Sequence, residues 1–405
     1  MGKTYKFFKP NYYTGQPPAG SYRSIFKWGD QNRGETLDEF LFIYLKQKYN
    51  LMNEDFTRQK LGLEQVEDIP KALNKEKQLK LTKVFGEKVS FSDYDRVSAA
   101  YGRSAVEIAK MRAGMPDALP VAVIFPEDEE DIIKAFDFAK KGEYQIAVRG
   151  GGTNTTCNLH TEGRLVLDLR KYNRVLKFNE PDQLITVQAG IDGASLERIL
   201  NNAPENFDVN RRYTAGFAPT ELEMSTPGGW IAMRARSASV SHFGRIEDIV
   251  YSFRVITADG AIIDTQDFFG LPDELVKKNE FFGHGQDKGI ISTVTLKFFR
   301  RVIHNNAKYC VVFKTIGQAE QAARDVVQAQ QSAPCELFVS DPGETAFLFE
   351  TKGVKSNPLN FYFNVRGIKS GSACLLIARA TGTRSEVKAV RKSIMRAKRR
   401  YGGVN

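Results

Sequence analysis

Arg149-Gly150-Gly151-Gly152-Thr153-Asn154-Thr155 is the stretch on which the reading of this chain turns. Three successive glycines carry no Cβ to hold an oxyanion away from the main chain, and they tolerate positive φ, so neighbouring N–H groups can converge on a phosphate. Thr153, Asn154 and Thr155 add side-chain donors, and Arg149 adds charge. The flanking sequence supplies the context. An apolar strand is expected at Val121–Phe125, then an amphipathic helix near Asp128–Lys140 with Ile132, Ile133, Phe136 and Ala139 on one face, then a strand at Gln145–Val148 that runs straight into the glycines. The loop therefore closes a β-α-β unit. Taken alone, a triple glycine is as often a tight turn between strands as a phosphate cradle.

Working outward, short strands at Arg164–Leu169, Arg174–Phe178 and Gln183–Gln188 and a helix from Gly193 through Leu200 turn the parallel pattern into a mixed sheet. A second cluster, Pro219 through Trp230, places the Ser225 and Thr226 hydroxyls before Pro227-Gly228-Gly229. It reads as the start of a helix Thr226–Ala235 whose free amides and dipole face an anion, or as a capped helix with glycines at a close packing contact. A third, Gly244-Arg245-Ile246-Glu247-Asp248, leads into a hairpin of Ile249–Thr257 and Ala261–Asp264. A fourth, Gly283 through Ser292, leads into a strand Gly289–Phe299. Each is a turn signature by itself; their order and spacing carry the information.

The outer segments differ in texture. Residues 1–115 are polar, charged and helix-leaning, with candidate helices at Leu37–Tyr49 and Ser98–Met111. From residue 303 onward a strand Tyr309–Lys314, a helix Gln318–Gln330, strands Glu336–Ser340 and Ala373–Ala378 and a helix Ser385–Arg400 form part of a ferredoxin-like layer. Three regions are expected: 1–115, 116–302 and 303–405. A chain of 405 residues exceeds the size at which one core stops growing, which agrees with this division.

Composition narrows the classes. No run of about 18 uncharged apolar residues occurs, so no transmembrane helix is expected. The stretch Met1–Gln16 lacks an apolar secretory core, and Tyr401-Gly402-Gly403-Val404-Asn405 is not a peroxisomal tripeptide, so no targeting signal is visible. Cys157, Cys310, Cys335 and Cys374 make no CxxC pair; neither a disulfide framework nor a metal site is expected, and a reducing compartment fits. The formal charge of +10 gathers in part on residues 385–401, where Lys388, Arg391, Lys392, Arg396, Lys398, Arg399 and Arg400 face only Glu386. Such a run is a solvated helix face or a contact surface for RNA or another polyanion.

In combination the four glycine-bearing motifs resemble the PCMH-type FAD-binding fold of the vanillyl-alcohol oxidase superfamily, in which FAD lies between two α+β subdomains. Within it the chain is similar to the alkyldihydroxyacetonephosphate (alkylglycerone-phosphate) synthase family, the flavoenzymes of ether-lipid biosynthesis. Ser24 through Asp30, Tyr101-Gly102-Arg103-Ser104, Met111 through Met115, Val187 through Ile191 and Ser225 through Ala235 carry that likeness beyond the FAD loops. The resemblance implies an α+β fold with a helical N-terminal region and a partial ferredoxin-like cap. It implies FAD held by Arg149, Gly150, Gly151, Gly152, Thr153, Asn154 and Thr155 at the diphosphate, and by Pro219, Thr220, Ser225, Thr226, Gly228, Gly229 and Arg234 along the flavin and phosphate chain. Gly244, Ile246, Glu247 and Asp248 would close the adenosine and ribityl side, with Gly289, Ile290 and Ile291 completing it.

In the family the flavin N5 is thought to hold the dihydroxyacetone-phosphate unit while a fatty acid leaves and a fatty alcohol enters. A lipid-phosphate substrate and an organelle matrix, peroxisome-like or mitochondrial, follow by resemblance. Two departures from the family pattern stand out: His284, Gly285 and Gln286 replace Ser, Glu and Gly of the fourth motif, and Arg236 and Ser237 replace a small pair in the second. The family's catalytic tyrosine, histidine run and arginine lie beyond the position of Tyr401-Gly402-Gly403, so no catalytic residue is assigned and the 405-residue chain is expected not to complete the exchange. The alternative is a shortened, inactive homologue serving as a structural subunit of a larger assembly, with or without RNA. An unrelated flavin oxidase is a third reading, with no residue pointing to its base.

Overall fold

The computed structural model describes residues 39–52, 69–112, 119–302, 305–329, 333–351, 357–369 and 371–404. The stretches Met1–Gln16 and Ser24–Asp30, the expected helix start at Leu37, Ala113–Met115 and His304 lie outside the described residues.

The strand that precedes the glycine loop, β3 (Ile146–Arg149), lies at the edge of a four-stranded sheet of order β1-β2-β4-β3, with β1 at Val89–Ser90, β2 at Ala122–Ile124 and β4 at Leu165–Asp168. β2, β4 and β3 are parallel; β1 pairs antiparallel with β2. Successive residues of β2 and β4 point to opposite faces, and both faces are covered. Ala122, Ile124, Leu165 and Leu167 pack with Ile132, Ala135 and Ala139 of the helix Glu129–Gly142 and with Leu81 and Phe85 of the helix Lys75–Phe85. Val123, Val166 and Ala147 pack with Ala99 on the other side. Double burial is why these strands read as unbroken apolar runs. The helix Glu129–Gly142 begins where the Asp128 side chain accepts the Asp131 N–H and ends at Glu143 in the left-handed region.

A five-stranded antiparallel sheet, β5-β6-β10-β8-β9, follows, built from Val175–Asn179, Leu184–Gln188, Ile290–Lys297, Val250–Ile256 and Ile262–Asp264. Its inner face packs Ile185, Val187, Val294, Leu296, Phe253 and Val255 against Leu196 and Leu200 of the helix Gly193–Asn201 and against Trp230 and Ile231 of the short helix Pro227–Ala232. A small ribbon, β7 (Tyr213–Thr214) with β11 (Phe299–Arg300), closes that side.

The last sheet has order β12-β14-β13, from Asn306–Phe313, Cys374–Thr381 and Glu336–Ser340, with β14 antiparallel to both neighbours. This is the 1-3-2 arrangement of a split β-α-β unit, and the helices Ile316–Gln328 and Arg384–Arg400 pack together on one face of it. Val404 bridges Val312 at the outer edge of β12. Helices Pro342–Thr351 and Asn357–Val365 fill the connection before β14, and Tyr44 of the helix Glu39–Tyr49 sets its ring edge-on to Phe347 at 5.1 Å.

Two expected helices are altered and others were not anticipated. The helix expected over Ser98–Met111 is two helices, Asp93–Ala100 and Ala105–Arg112, broken at Tyr101–Ser104. There Gly102 abuts the Asn154 carbonyl, and the Arg103 N–H donates to that oxygen at 2.5 Å, so a long-range contact overrides local helix propensity. The helix expected over Thr226–Ala235 stops at Ala232, and Arg234 takes φ 49°. The helices at Lys75–Phe85, Pro342–Thr351 and Asn357–Val365 were not anticipated: their apolar residues lack a strong 3.6-residue stripe or fall in charged surroundings.

Candidate functional site

The first and second motifs meet. A Cβ on Gly150 would collide with the Thr226 hydroxyl, and one on Gly151 would overlap the Met224 carbonyl, so the loop main chain lies directly against residues 224–226. Gly152 has φ 66° and turns its Cα toward Arg149, whose Nε and Cζ would stand 2.5 and 2.7 Å from a Cβ there. Each glycine is required by a close approach or a left-handed backbone. Beyond them, the Asn154 side chain accepts the Thr156 N–H at 2.7 Å and reaches Asn158, and the amides of Asn154 and Asn158 both lie 3.7 Å from the Met233 sulfur. Thr155 is exposed on this turn.

The Arg149 side chain folds back beneath the loop. It is 2% exposed and donates from Nη1 to Asp168 Oδ2 at 2.9 Å. Asp168 is wholly buried and also takes Arg170, through Nε at 2.9 Å and Nη2 at 2.7 Å. Burial works to raise the Asp168 carboxyl, but Arg170 and Arg149 outweigh it and hold it below the usual carboxylate range. Burial, reinforced by the Arg170 charge, pushes Arg149 down to about 9. Arg103, 3% exposed, is pushed down to about 10 by the same two causes, and its Nη1 donates to the Gly102 carbonyl at 2.9 Å. Nε and Nη2 of both arginines are buried and have no hydrogen-bond partner among the described residues. An unmade hydrogen bond of that kind costs about 1–3 kcal/mol.

The second motif spends its donors internally. Among the first amides of the helix Pro227–Ala232, Gly228 donates to the Ala189 carbonyl at 3.0 Å, Gly229 to the Thr226 hydroxyl at 3.3 Å and Trp230 to the Thr226 carbonyl at 2.8 Å. The Ser225 hydroxyl accepts the Trp230 indole N–H at 2.9 Å. The capped-helix reading therefore describes this motif better than an open anion-binding terminus. Pro219 accepts the Leu222 N–H in the preceding turn, and Thr220 is exposed beside it.

The other motifs join at the far end of that helix. Arg234 pairs with Glu247 at 2.5 Å, linking motifs two and three, while Gly283 and Gly285 donate to the Ile231 and Ala232 carbonyls at 3.0 and 2.8 Å, linking two and four. Gly244 has φ 97° and faces Asp248, whose carboxylate accepts the Arg245 N–H; Ile246 is buried in the second core. Gly289 immediately precedes β10, whose first residues Ile290 and Ile291 pair with Ile256 and Val255, and both isoleucines are buried.

Two residues with roles here were missed in the sequence. Gln286, noted only as a departure, accepts the Val148 N–H at 2.8 Å and donates to the Ile146 carbonyl at 3.4 Å, completing the open edge of β3. Met233 gives no sequence signal; its contact with residues 154 and 158 exists only in the fold.

The loop itself keeps donors to spare. Among the described residues no acceptor takes the main-chain N–H groups of Gly151, Gly152 or Thr153. Free amides above orphaned guanidinium nitrogens suit a diphosphate.

This is the architecture of a PCMH-type FAD-binding protein: two α+β units with the glycine loop where they meet, and residues 120–266 match the family model described as FAD binding domain. In that setting FAD is the cofactor. The chain resembles alkyldihydroxyacetonephosphate synthase in particular. It is 30% identical over 219 residues to that enzyme of Caenorhabditis elegans, covering 52% of this chain and 35% of the relative, and 24% identical over 311 residues to that of Dictyostelium discoideum, covering 74% and 49%. A solved alkyldihydroxyacetonephosphate synthase superposes with TM-score 0.72 at 23% identity, covering 84% of this chain and 63% of that one. The chain thus spans about half or less of the length of these curated relatives. No helix among the described residues is long and apolar enough to cross a membrane.

Proposed function

We propose that this chain supplies the flavin platform of an alkyldihydroxyacetonephosphate synthase-type protein, holding the FAD diphosphate on the amides of Gly151, Gly152 and Thr153. The observation that carries the reading is the coincidence of these unspent donors with the unpartnered nitrogens of Arg149 directly beneath Gly152. When bound, FAD would supply the reactive ring atom on which a dihydroxyacetone-phosphate unit is exchanged between acyl and alkyl partners. The protein's part is to bind and orient. Thr226 and Met224 brace the loop, Asp168 fixes Arg149, and the Arg234–Glu247 pair ties the second motif to the third.

Our reading is also that these residues do not complete the exchange. His160, His242 and His284 are exposed, and none hydrogen-bonds to a residue of the glycine loop among the described contacts. No proton-transfer group is therefore assigned. The test is to titrate the purified chain with FAD, follow flavin fluorescence, and assay acyl-to-alkyl exchange on the loaded protein. Tight FAD binding without exchange is expected. A chain that neither retains nor binds FAD overturns the platform, and exchange by the loaded chain overturns its incompleteness.

A second reading, a structural subunit of an RNA-containing assembly, is favoured by one feature. Lys388, Arg391, Lys392, Arg396 and Arg399 are exposed along the helix Arg384–Arg400, while Glu386 is engaged in capping it at Thr383. RNA affinity that falls steeply with salt and with charge reversal of these residues is its signature; affinity indifferent to both removes it.

A further inference from the structure

The most exposed contradiction in the molecule is Arg103. Its guanidinium is buried, it lies outside the matched FAD binding domain, and among the described residues it makes no ion pair; its side chain bonds only to the neighbouring Gly102 carbonyl. Glu107, the nearest acid in sequence, is spent on the main-chain amides of Gly102 and Ser104 at 3.1 and 3.0 Å. A buried charge left in this state is unfavourable unless something else completes it.

The turn that carries it is sewn to the glycine loop. The Arg103 N–H donates to the Asn154 carbonyl, Cys157 donates its thiol proton to Ser104 Oγ at 3.0 Å, and Thr161 Oγ1 donates to the Ala100 carbonyl at 2.8 Å. Arg149 feels the charges of Arg170 and Arg103, and Arg103 feels that of Arg170, opposed in part by Glu107 and Glu221, which make no direct hydrogen bond to its guanidinium. Asp168 answers Arg149 and Arg170 by direct hydrogen bonds and leaves Arg103 without one. Four guanidinium nitrogens, Nε and Nη2 of Arg103 and of Arg149, point at no acceptor. Gly152, half-buried, separates the Arg149 guanidinium from the outer face of the loop by a single residue's thickness.

We propose that Arg103 and Arg149 form the buried cationic support of a diphosphate site made by the free amides of Gly151–Thr153, so that Arg103 positions this site from outside the FAD binding domain. This rests on the flavin-platform reading and deepens it. The ligand class is a diphosphate, with the nucleoside or flavin ends contributing separately. Arg103 is a positioning residue: it acts on the anion through the loop it braces and through its field in a poorly solvated setting, where a charge is felt more strongly than in water. The energetic logic is that a bound anion offsets the buried positive charge through the field, which ties the 101–104 turn to occupancy of the loop.

The experiment compares wild-type protein with Arg103→Met and Arg103→Lys, using calorimetric titration with inorganic pyrophosphate, ADP, adenosine and FAD, and thermal midpoints without ligand. Wild-type protein is expected to bind pyrophosphate, ADP and FAD, with the pyrophosphate affinity falling as salt rises. Arg103→Met is expected to weaken pyrophosphate and ADP by about tenfold or more while leaving adenosine unchanged, and Arg103→Lys to weaken them less. The ligand-free Arg103→Met protein should melt no lower than wild type, because an apolar chain of similar length replaces an unpaired buried charge. Undiminished pyrophosphate binding by Arg103→Met, with FAD still bound, overturns the inference and leaves the platform standing. So does a ligand-free midpoint below wild type in both variants, which would make Arg103 a structural prop. Wild-type protein that binds neither FAD nor pyrophosphate brings down both readings.

Discussion

Gly151→Ala puts the meeting of the first two motifs to the test. A Cβ at this position would overlap the Met224 carbonyl oxygen and stand 2.5 Å from its carbon and 3.3 Å from the Ser225 nitrogen. Non-bonded carbons rest at about 3.5–4.0 Å and the carbonyl oxygen is closer to the Cβ than its carbon is, so one of the two main chains must retreat by more than about 1 Å. Neither obstacle is a side chain that can rotate away. Overpacking of this kind costs about 1–3 kcal/mol, and with backbone on both sides the upper end applies. For a domain of about 150–250 residues each kcal/mol lowers the midpoint by about 2–4 °C, so a fall of about 4–10 °C is expected. Retreat of the loop also disperses the amides of Gly151–Thr153, and FAD affinity should fall by about tenfold or more. Gly317→Ala is the matched control: it lies in the helix Ile316–Gln328 with nothing within 4 Å of a Cβ, and alanine there should be neutral or slightly stabilising. Differential scanning fluorimetry with and without FAD reads both quantities. If Gly151→Ala melts with the control and binds FAD as wild type does, the contact with Met224 is not part of the folded protein and the account of the loop is wrong.

Three other substitutions probe the frame around it. Asp168→Asn strips the buried counter-charge from Arg149 and Arg170 and should destabilise by about 3–5 kcal/mol in urea titration; a loss below about 1 kcal/mol would mean the guanidiniums find other partners. Glu197 accepts the Thr214 hydroxyl at 2.9 Å and the Ala215 N–H at 2.8 Å, yet burial raises its carboxyl above the ordinary 4.5. The native state then binds a proton that the unfolded chain has released, so this group's contribution is full below about 4.5 and is lost as pH rises through the raised native value. Glu197→Gln should flatten that part of the stability–pH curve, and an unchanged curve refutes the assignment. Gln286→Ala removes the acceptor of the Val148 N–H and should cost about 1 kcal/mol and speed hydrogen exchange at Val148; exchange at the wild-type rate would show that the edge of β3 is held otherwise.

The β-α-β unit was legible because its signals are local. Asp128 caps the helix that the apolar spacing predicts, and β2 and β4 are doubly buried and so carry unbroken apolar runs. The hairpin of β8 and β9 and the 1-3-2 sheet were legible for the same reason. The break at Tyr101–Ser104 was not, since its cause is a carbonyl fifty residues away, at Asn154. The second motif shows a subtler limit. Ser225, Thr226 and Gly229 look alike whether they face a ligand or cap a helix, and only the partner of each donor distinguishes the two. Gln286 departs from the glycine of the family's turn motif, and the reason lies in the fold, where its amide pairs with Ile146 and Val148.

The same distinction decides what the glycine loop is for. Gly150, Gly151 and Gly152 are each explained by protein contacts alone: the Thr226 hydroxyl, the Met224 carbonyl and the Arg149 guanidinium leave no room for a Cβ. Glycine content therefore does not by itself imply a ligand. Unspent hydrogen-bonding capacity is the stronger argument for the proposed diphosphate site, because buried donors are ordinarily consumed, as those of Gly228, Gly229 and Trp230 are in the helix Pro227–Ala232. The loop beside it leaves three amides and four guanidinium nitrogens without acceptors within one small region. Two neighbouring motifs of similar composition thus differ, one spending its donors on packing and the other leaving them unspent, as the proposed diphosphate site requires.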